Sequence, residues 1–330
     1  MACHTKKILA GLTEEEIIDL FSRNTFKTTA VHTGIGDDTA VLNIPNEPNN
    51  FLLLTQDSVV SGRHFLYEKD APQRVGWKSL ARNISDIAAM GGVPMGALVA
   101  LAMPESVSVT WLEQLYEGIN KCALQFDCPV VGGDIASSQS EIFISVTVIG
   151  KVEAAKLVHR NGAQDGNLIC VTGYLGGSSR GKHLDFIPRL EHAHWLIDSC
   201  KVSAMIDLSD GLGKDLFHIA RASNKGFVLE RDTIPISEEA QMVSAGDIEQ
   251  AFHHALNDGE DFELLFTIDE SVDSFHHTAH CFKEKFGIPV THIGTIVNDV
   301  SLTIIRRKSA DDVYLTKGGF EHFKSRVHDE

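Results

Sequence analysis

The chain has 330 residues, 43% hydrophobic and 22% charged, which is room for two globular domains that bury their own cores without disulfide staples. A formal net charge of −16 argues against nucleic acid as a partner, since such affinity rests on clustered Lys and Arg; smaller polyanions stay accessible where divalent cations mediate. No apolar run reaches the roughly 18 residues of a membrane span, and MACHTKK followed by TEEE lacks the apolar stretch of a secretory leader, so no membrane partner and a cytoplasmic location are expected.

In chain order, Thr13 followed by three glutamates ahead of IIDLF predicts a capped first helix. FLLLTQDSVV predicts a strand from Phe51 that ends near Asp57. Trp77, Leu80, Ile84 and Ile87 recur at helical spacing until Gly91 and Gly92 stop the run. A second helix spans Trp111 to Phe126 through Leu115, Ile119 and Cys122. CPVV reads as a short strand leading into Gly132-Gly133-Asp134, and EIFISVTVIG as another. A second unit starts near residue 151, with strands in NLICVTG, SAMIDLSD, GFVLE, DFELLFTI, THIGTIV and SLTIIRR. Helices are expected between them at Leu212 to Ser223, Asp247 to Leu256 and Val272 to Phe286. Strands and helices alternate in both halves, which predicts an α/β fold with mixed sheets and domains at 1–150 and 151–330. Six cysteines (Cys3, Cys122, Cys128, Cys170, Cys200 and Cys281) form no C-x-x-C pair and read as reduced, mostly core thiols.

The carboxylates are informative by position. Asp37 and Asp38 in GIGDDTAVL, Asp57 in LLLTQDS, Asp134 in VVGGDIA, Asp207 and Asp210 in MIDLSDGL, and Glu260 and Asp261 in NDGEDFELLF stand at abrupt ends of apolar segments, often beside glycine. Such places build sites in α/β proteins, although Asp also favours turns and N-caps, and Asp210 is placed to cap a following helix. Asp86 lies within a helix. At about 100° per residue, Ser79, Arg82 and Asp86 fall opposite the apolar stripe, as they would on a solvated face or toward a ligand. Hard cations take oxygen ligands, and Thr55 adds a hydroxyl beside Asp57. Of 16 histidines, His64 is the one to watch, since it follows an acidic strand end.

GGSSRGKH, Gly176 to His183, matches the phosphate-binding pattern G-x-x-x-x-G-K-[ST] except that His183 stands where the magnesium-binding hydroxyl belongs. The alternative role is tight strand-to-helix packing by Gly176, Gly177 and Gly181, with Lys182 on the surface.

Taken together, GIGDDTAVL (Gly34 to Leu42), TQDSVVSGRHF (Thr55 to Phe65), NISDIAAMGGVP (Asn83 to Pro94), Gly132-Gly133-Asp134, IDLSDGL (Ile206 to Leu212) and GEDFELLF (Gly259 to Phe266) resemble the thiamine-monophosphate kinases, in that family's order and spacing. This resemblance implies a two-domain fold like that of aminoimidazole ribonucleotide synthetase, with N-terminal sheets pairing into a barrel across a homodimer. It also implies transfer of the ATP γ-phosphoryl group to thiamine monophosphate with the help of several Mg²⁺ ions. The positions that match the family's metal ligands are Asp38, Thr55, Gln56, Asp57, Asp86, Asp134, Asp207 and Asp210. Those matching nucleotide contacts are Tyr116, Gly133, Asp134, Arg160 and Ser209, and those matching the acceptor site are His64, Glu260 and Phe320. Three departures touch ligand detail: Gln56 where the family usually has Thr or Ser, IASSQ after Asp134, and Asn167 for the usual Asp of its turn. The C-terminal RVHDE lacks the cysteine of the related hydrogenase-maturation proteins, and Cys3 lacks the context of a selenophosphate synthetase. A sensor that binds the same ligands without turnover is the alternative from another functional class.

Overall fold

Thr13 accepts a hydrogen bond from the Glu16 amide while the Glu16 carboxylate takes the Thr13 amide, and this capping box starts α1 (Glu14–Ser22). The computed structural model describes residues 13–26, 28–308, 311–316 and 318–320. After α1 come β1 (Val31–Thr33), β2 (Ala40–Asn43), β3 (Asn50–Val60), α2 (Pro72–Ala89), β4 (Val93–Met103), α3 (Val109–Gln125), β5 (Val130–Ser137) and β6 (Phe143–Glu153). These strands form a six-stranded sheet in the order β1-β2-β3-β6-β4-β5, antiparallel except for β4 and β5, which α3 joins by a crossover.

Helix α2 explains why this half closes as it does. Its apolar stripe, Trp77, Leu80, Ile84 and Ile87, is buried in the core. Its neighbour α3 comes so close that a Cβ at Gly76 would lie 2.0 Å from the Leu115 carbonyl oxygen, and one at Gly118 1.8 Å from that of Gln73.

The rest of the chain runs β7 (Leu168–Thr172), α4 (Lys182–Asp185), α5 (Leu190–Ser199), β8 (Val202–Asp207), α6 (Leu212–Ser223), β9 (Gly226–Glu230), α7 (Glu238–Val243), α8 (Ile248–Asn257), β10 (Leu264–Ile268), α9 (Val272–Phe286), β11 (Val290–Val297), β12 (Thr303–Arg306) and β13 (Val313–Tyr314). Its seven-stranded sheet has the order β13-β12-β9-β11-β7-β10-β8, with β12 and β9 the parallel pair. Strand β6 carries the first sheet past position 151, and one apolar core runs from α2 and α3 through α5 to the face of β7, β8 and β10, where Cys170, Met205 and Phe266 are buried. A second core lies under α6 and α8, around Ile206, Leu216, Phe227 and Leu265.

The six predicted strands of the second half are all present, and two of the three predicted helices match to the residue. Several expectations need correcting. Strand β3 does not end near Asp57 but continues to Val60, because its ladder to β6 is unbroken from Asn50 to Val60. The Gly-Gly-Asp run follows no strand end either, since it lies inside β5, paired with β4. Asp210 is not a cap: Gly211 holds that position in α6, and the Asp215 carboxylate takes the Asp210 and Gly211 amides, each at 3.1 Å. Cys122, Cys128, Cys170 and Cys200 are buried free thiols and Cys281 is partly exposed, while Cys3 lies outside the described residues. No helix among the described residues is long and apolar enough to cross a membrane.

Candidate active site

The face of α2 opposite the apolar stripe is not a solvated surface. It lies against the seam between the two sheets, and its polar residues meet carboxylates from four other segments. Asp86 projects toward Asp38, from the turn before β2, and Asp207, from the end of β8; one carboxylate oxygen of each lies within 4.8 Å of the others. Thr55 of β3 donates to Asp86 Oδ2 at 2.5 Å, Ser85 donates to Asp207 Oδ2 at 2.6 Å, and Arg160 Nη2 donates to Asp38 Oδ1 at 2.7 Å. Asp38 Oδ2 is buried with no hydrogen-bond partner among the described residues. Burial, then the neighbouring charges of Asp57, Asp207 and Asp38, pushes the Asp86 carboxyl well above the usual carboxylate range. Burial and the Asp38 charge raise Asp207 to about 7, and burial raises Asp38 although Arg160 pulls the other way. Three hard-oxygen groups forced together, one with an unpaired buried oxygen, fit a divalent cation by the chemistry of the donor set.

Next along the same helix face, Arg82 Nε donates to Asp57 Oδ2 at 3.1 Å and Lys78 Nζ donates to Glu260 Oε2 at 2.9 Å. Lys78 is wholly buried and also donates to the His64 carbonyl oxygen at 2.9 Å, so one ammonium ties the His64 loop to Glu260. Burial would raise the Glu260 carboxyl, but Lys78 and Arg82 outweigh it and hold the group below its ordinary value. Glu260 and Phe262 both have positive φ, 54° and 50°, a conformation that costs non-glycine residues roughly 1–3 kcal/mol. Amide bonds from Glu260 to Ser209 O at 2.7 Å and from Phe262 to Leu208 O at 2.8 Å hold that turn and bind it to the loop after β8.

Between these parts opens a cavity of about 390 Å³, lined by Arg63, His64, Arg82, Ser209, Asp210, Glu260 and Phe320 among others. Asp210 pairs with Lys214 at 2.7 Å, and the Phe320 amide donates to the Asp210 carbonyl at 3.1 Å, which brings the last described segment over the opening. A second cavity of about 520 Å³, at Ser61, Tyr67 and Glu141, includes none of the predicted carboxylates.

Not every predicted position joins this site. Thr55 and Asp57 point from β3 toward α2, whereas Gln56 between them points to the opposite face, where its Oε1 accepts from Thr147 at 2.9 Å. The register carries Asp134 to that same outer face through Ala100 and Ser145. Gly133 and Asp134 are exposed on edge strand β5. Tyr116 is half-buried on α3 and lines neither cavity. Sequence reasoning left out Lys78, Asp215, Ser85 and a role for Arg82; for the last, its spacing of four residues from Asp86 was the available signal.

Comparison with known proteins identifies the family. Residues 36–152 match the family described as AIR synthase related protein, N-terminal domain. Thiamine-monophosphate kinase of Rhodopirellula baltica is 36% identical over 88% of this chain and 91% of its own. The chain belongs to the thiamine-monophosphate kinase family. AaThiL complexed with AMPPCP and TMP superposes with a TM-score of 0.80 at 29% identity, covering 97% of this chain and 100% of that one. E. coli HypE, a hydrogenase maturation protein, shares the fold at 17% identity, with a TM-score of 0.70 over 92% of this chain and 96% of its own.

In this member of the thiamine-monophosphate kinase family the near-miss phosphate loop has other work. The Gly176 amide donates to Asp261 at 2.9 Å and the Gly177 amide to Asp258 at 2.7 Å, so protein carboxylates hold the amides that a phosphate would need. Close packing by the glycines holds as expected: a Cβ at Gly176 would lie 2.7 Å from the Ala255 nitrogen, and one at Gly177 2.5 Å from that of Ala240. Lys182 is only partly exposed, and its Nζ is engaged, donating to the Tyr174 carbonyl at 2.9 Å and to the buried Glu263 at 3.1 Å. Arg189 grips the same Glu263 through both nitrogens of its fork, at 2.7 and 2.6 Å.

Proposed function

We propose that this chain transfers the γ-phosphoryl group of ATP directly to thiamine monophosphate, giving thiamine diphosphate and ADP. The observation that carries this reading is the junction at Asp57, Arg82 and Glu260, which joins the cluster of Asp38, Asp86 and Asp207 to the cavity lined by His64, Glu260 and Phe320.

Asp38, Thr55, Asp57, Asp86, Asp207 and Asp210 would hold Mg²⁺ on the cleft side, whereas Asp134 and Gln56, on the outer face of the sheet, stand outside that set. Bound magnesium would screen two polyanions from one another and stabilise charge developing on the transferred group. Arg160 and Ser209 would contact the nucleotide from the cleft. His64 and Glu260 position the acceptor, whose ring system packs on Phe320. Its phosphate is ionised near neutral pH, so an acceptor oxygen bonds to the γ-phosphorus as the bridging bond breaks, and the electron pair leaves on ADP. No proton has to be removed, which accords with a site built of fixed carboxylates and cations.

The first 150 residues supply most of the metal ligands and the rest complete the nucleotide and acceptor site. A homodimer is part of the reading: Val131 and Ile135 on edge strand β5 and Leu98 on its neighbour β4 are between 42% and 75% exposed, at an edge unpaired among the described residues, a surface for a second copy to close into a barrel. A cytoplasmic location accords with a biosynthetic role that uses ATP.

Incubating purified protein with ATP, Mg²⁺ and thiamine monophosphate tests the reaction, with thiamine diphosphate as the expected product. Binding of both ligands without product would support the sensor instead, and turnover restricted to aminoimidazole precursors would move the chain to the cycloligases.

A further inference from the structure

The acceptor cavity has to hold a phosphate, yet most of the strong cations near it are already engaged. Lys78 is wholly buried between Glu260 and the His64 carbonyl, Lys214 between Asp210 and the Phe320 carbonyl, and Arg160 is paired with Asp38. Arg82 differs. Its side chain is 12% exposed and lines the cavity, and its Nε is fixed on Asp57. Among the described residues its Nη1 is buried without a hydrogen-bond partner, 3.6 Å from Glu260 Oε1 and so beyond bonding length. The guanidinium carbon lies 5.9 Å from the Phe262 ring centroid, which steadies the group from one side. Arg160 Nε is likewise buried without a partner among the described residues, but Arg160 does not line the cavity; a buried charged donor left unpaired at the cavity wall marks a place that a ligand completes.

We propose that Arg82 binds the acceptor phosphate through its Nη1 edge, and so holds that phosphate between Asp57 on the metal side and Glu260 on the acceptor side. This inference rests on the kinase reading above. Guanidinium suits the task because its planar fork can keep one nitrogen on a carboxylate while another takes a phosphate oxygen, which an ammonium cannot do with fixed geometry. The position also matches the chemistry: the donor sits at the junction between the carboxylate cluster and the acceptor cavity, where the attacking oxygen must be held.

The test compares the parent protein with Arg82→Ala and Arg82→Lys. Calorimetry, with magnesium and a non-hydrolysable ATP analogue present, measures affinity for thiamine monophosphate and for thiamine, which lacks the phosphate. The parent should prefer the phosphorylated form, and Arg82→Ala should erase about tenfold or more of that preference while thiamine affinity stays within about twofold. In steady state, kcat/KM for the acceptor should fall about a hundredfold, with part of the loss restored by free guanidinium and less restored by Arg82→Lys. A preference for the phosphorylated form that survives Arg82→Ala would overturn the inference. So would an equal loss of affinity for both ligands accompanied by a lower Tm, which would mark Arg82 as structural. A parent that forms thiamine diphosphate while Arg82→Ala keeps its preference defeats the Arg82 role alone. A parent that forms none, yet loses its phosphate preference on Arg82→Ala, defeats the kinase reading alone.

Discussion

Replacing Asp86 by Asn should make the metal-free protein more stable and deprive it of stabilisation by magnesium. The substitution keeps the fold contact, because the Asn carbonyl oxygen can take the hydrogen bond that Thr55 donates to Asp86 Oδ2 at 2.5 Å. What it removes is repulsion. With oxygens of Asp38, Asp86 and Asp207 within 4.8 Å, each ionised pair costs about 3.5 kcal/mol at an effective dielectric constant near 20. Proton uptake already relieves part of this, since burial and neighbouring charge push Asp86 well up and Asp207 to about 7. The net gain at pH 8 should therefore be about 1–3 kcal/mol, or roughly 2–6 °C in Tm. Thermal denaturation in EDTA and in millimolar Mg²⁺ measures both effects. In EDTA the variant should melt above the parent; in Mg²⁺ the parent should rise and the variant barely move. A variant that melts below the parent in EDTA, or gains as much from Mg²⁺, would refute the electrostatic account of the cluster.

Three other outcomes follow from the same geometry. Asp207 and Asp261 both sit near 7, chiefly through burial, so the folded protein binds more protons than the unfolded chain between the ordinary carboxylate range, about 4, and about 7. Metal-free stability should accordingly fall as pH rises through the upper part of that window and level off above it, and saturating Mg²⁺ should flatten the curve; a metal-free Tm that climbs between pH 6 and 7 would contradict the sign. Asp57→Asn and Asp210→Asn should each lower turnover about a hundredfold or more, and near-normal rates for both at saturating Mg²⁺ would remove them from the metal set. Lys182→Met should lower Tm, because it strips a partner from buried Glu263, and leave the KM for ATP within about twofold; a tenfold rise in that KM would return the glycine-rich loop to nucleotide binding.

Patterns of local spacing were legible in the sequence, and patterns set by neighbours were not. The apolar stripe of α2 could be read from Trp77, Leu80, Ile84 and Ile87, since a buried helix face needs only a 3.6-residue period. Its polar face was compatible with water or with a ligand, because a single helix cannot reveal what is packed against it. Strand β4 and helix α5 were missed: VPMGALVALAM follows a glycine pair that read only as a stop, and LEHAHWLIDS carries histidines that blur its periodicity. Asp57 and Asp134 both seemed to end strands, since Asp and Gly weaken strand propensity, yet long ladders with β6 and β4 override that preference. The candidate carboxylates were found as a set, but their division between the two faces of the first sheet depends on register, which no single segment encodes.

Helix α2 also bears on how selectivity can arise. Lys78, Arg82 and Asp86 are spaced by four residues, so they follow one stripe of the helix with roughly 6 Å between successive levels and about 12 Å in all. A regular helix buried along nearly its whole length cannot change those intervals, so the distance from the acceptor end to the metal end of the phosphate path is set by the helix and stays the same whatever the loops do. The parts that meet the rest of the acceptor are of another kind: His64 lies in a turn after β3, Glu260 in a strained turn before β10, and Phe320 in an irregular segment hydrogen-bonded to Asp210. Discrimination among acceptors that share a phosphate is therefore expected to change with substitutions in these loops, whereas changes on the α2 stripe should weaken all phosphorylated acceptors alike. Substituting Phe320 and Arg82 separately, and ranking several thiamine phosphate analogues against each, distinguishes the two: the order of preference should shift for Phe320 variants and hold for Arg82 variants.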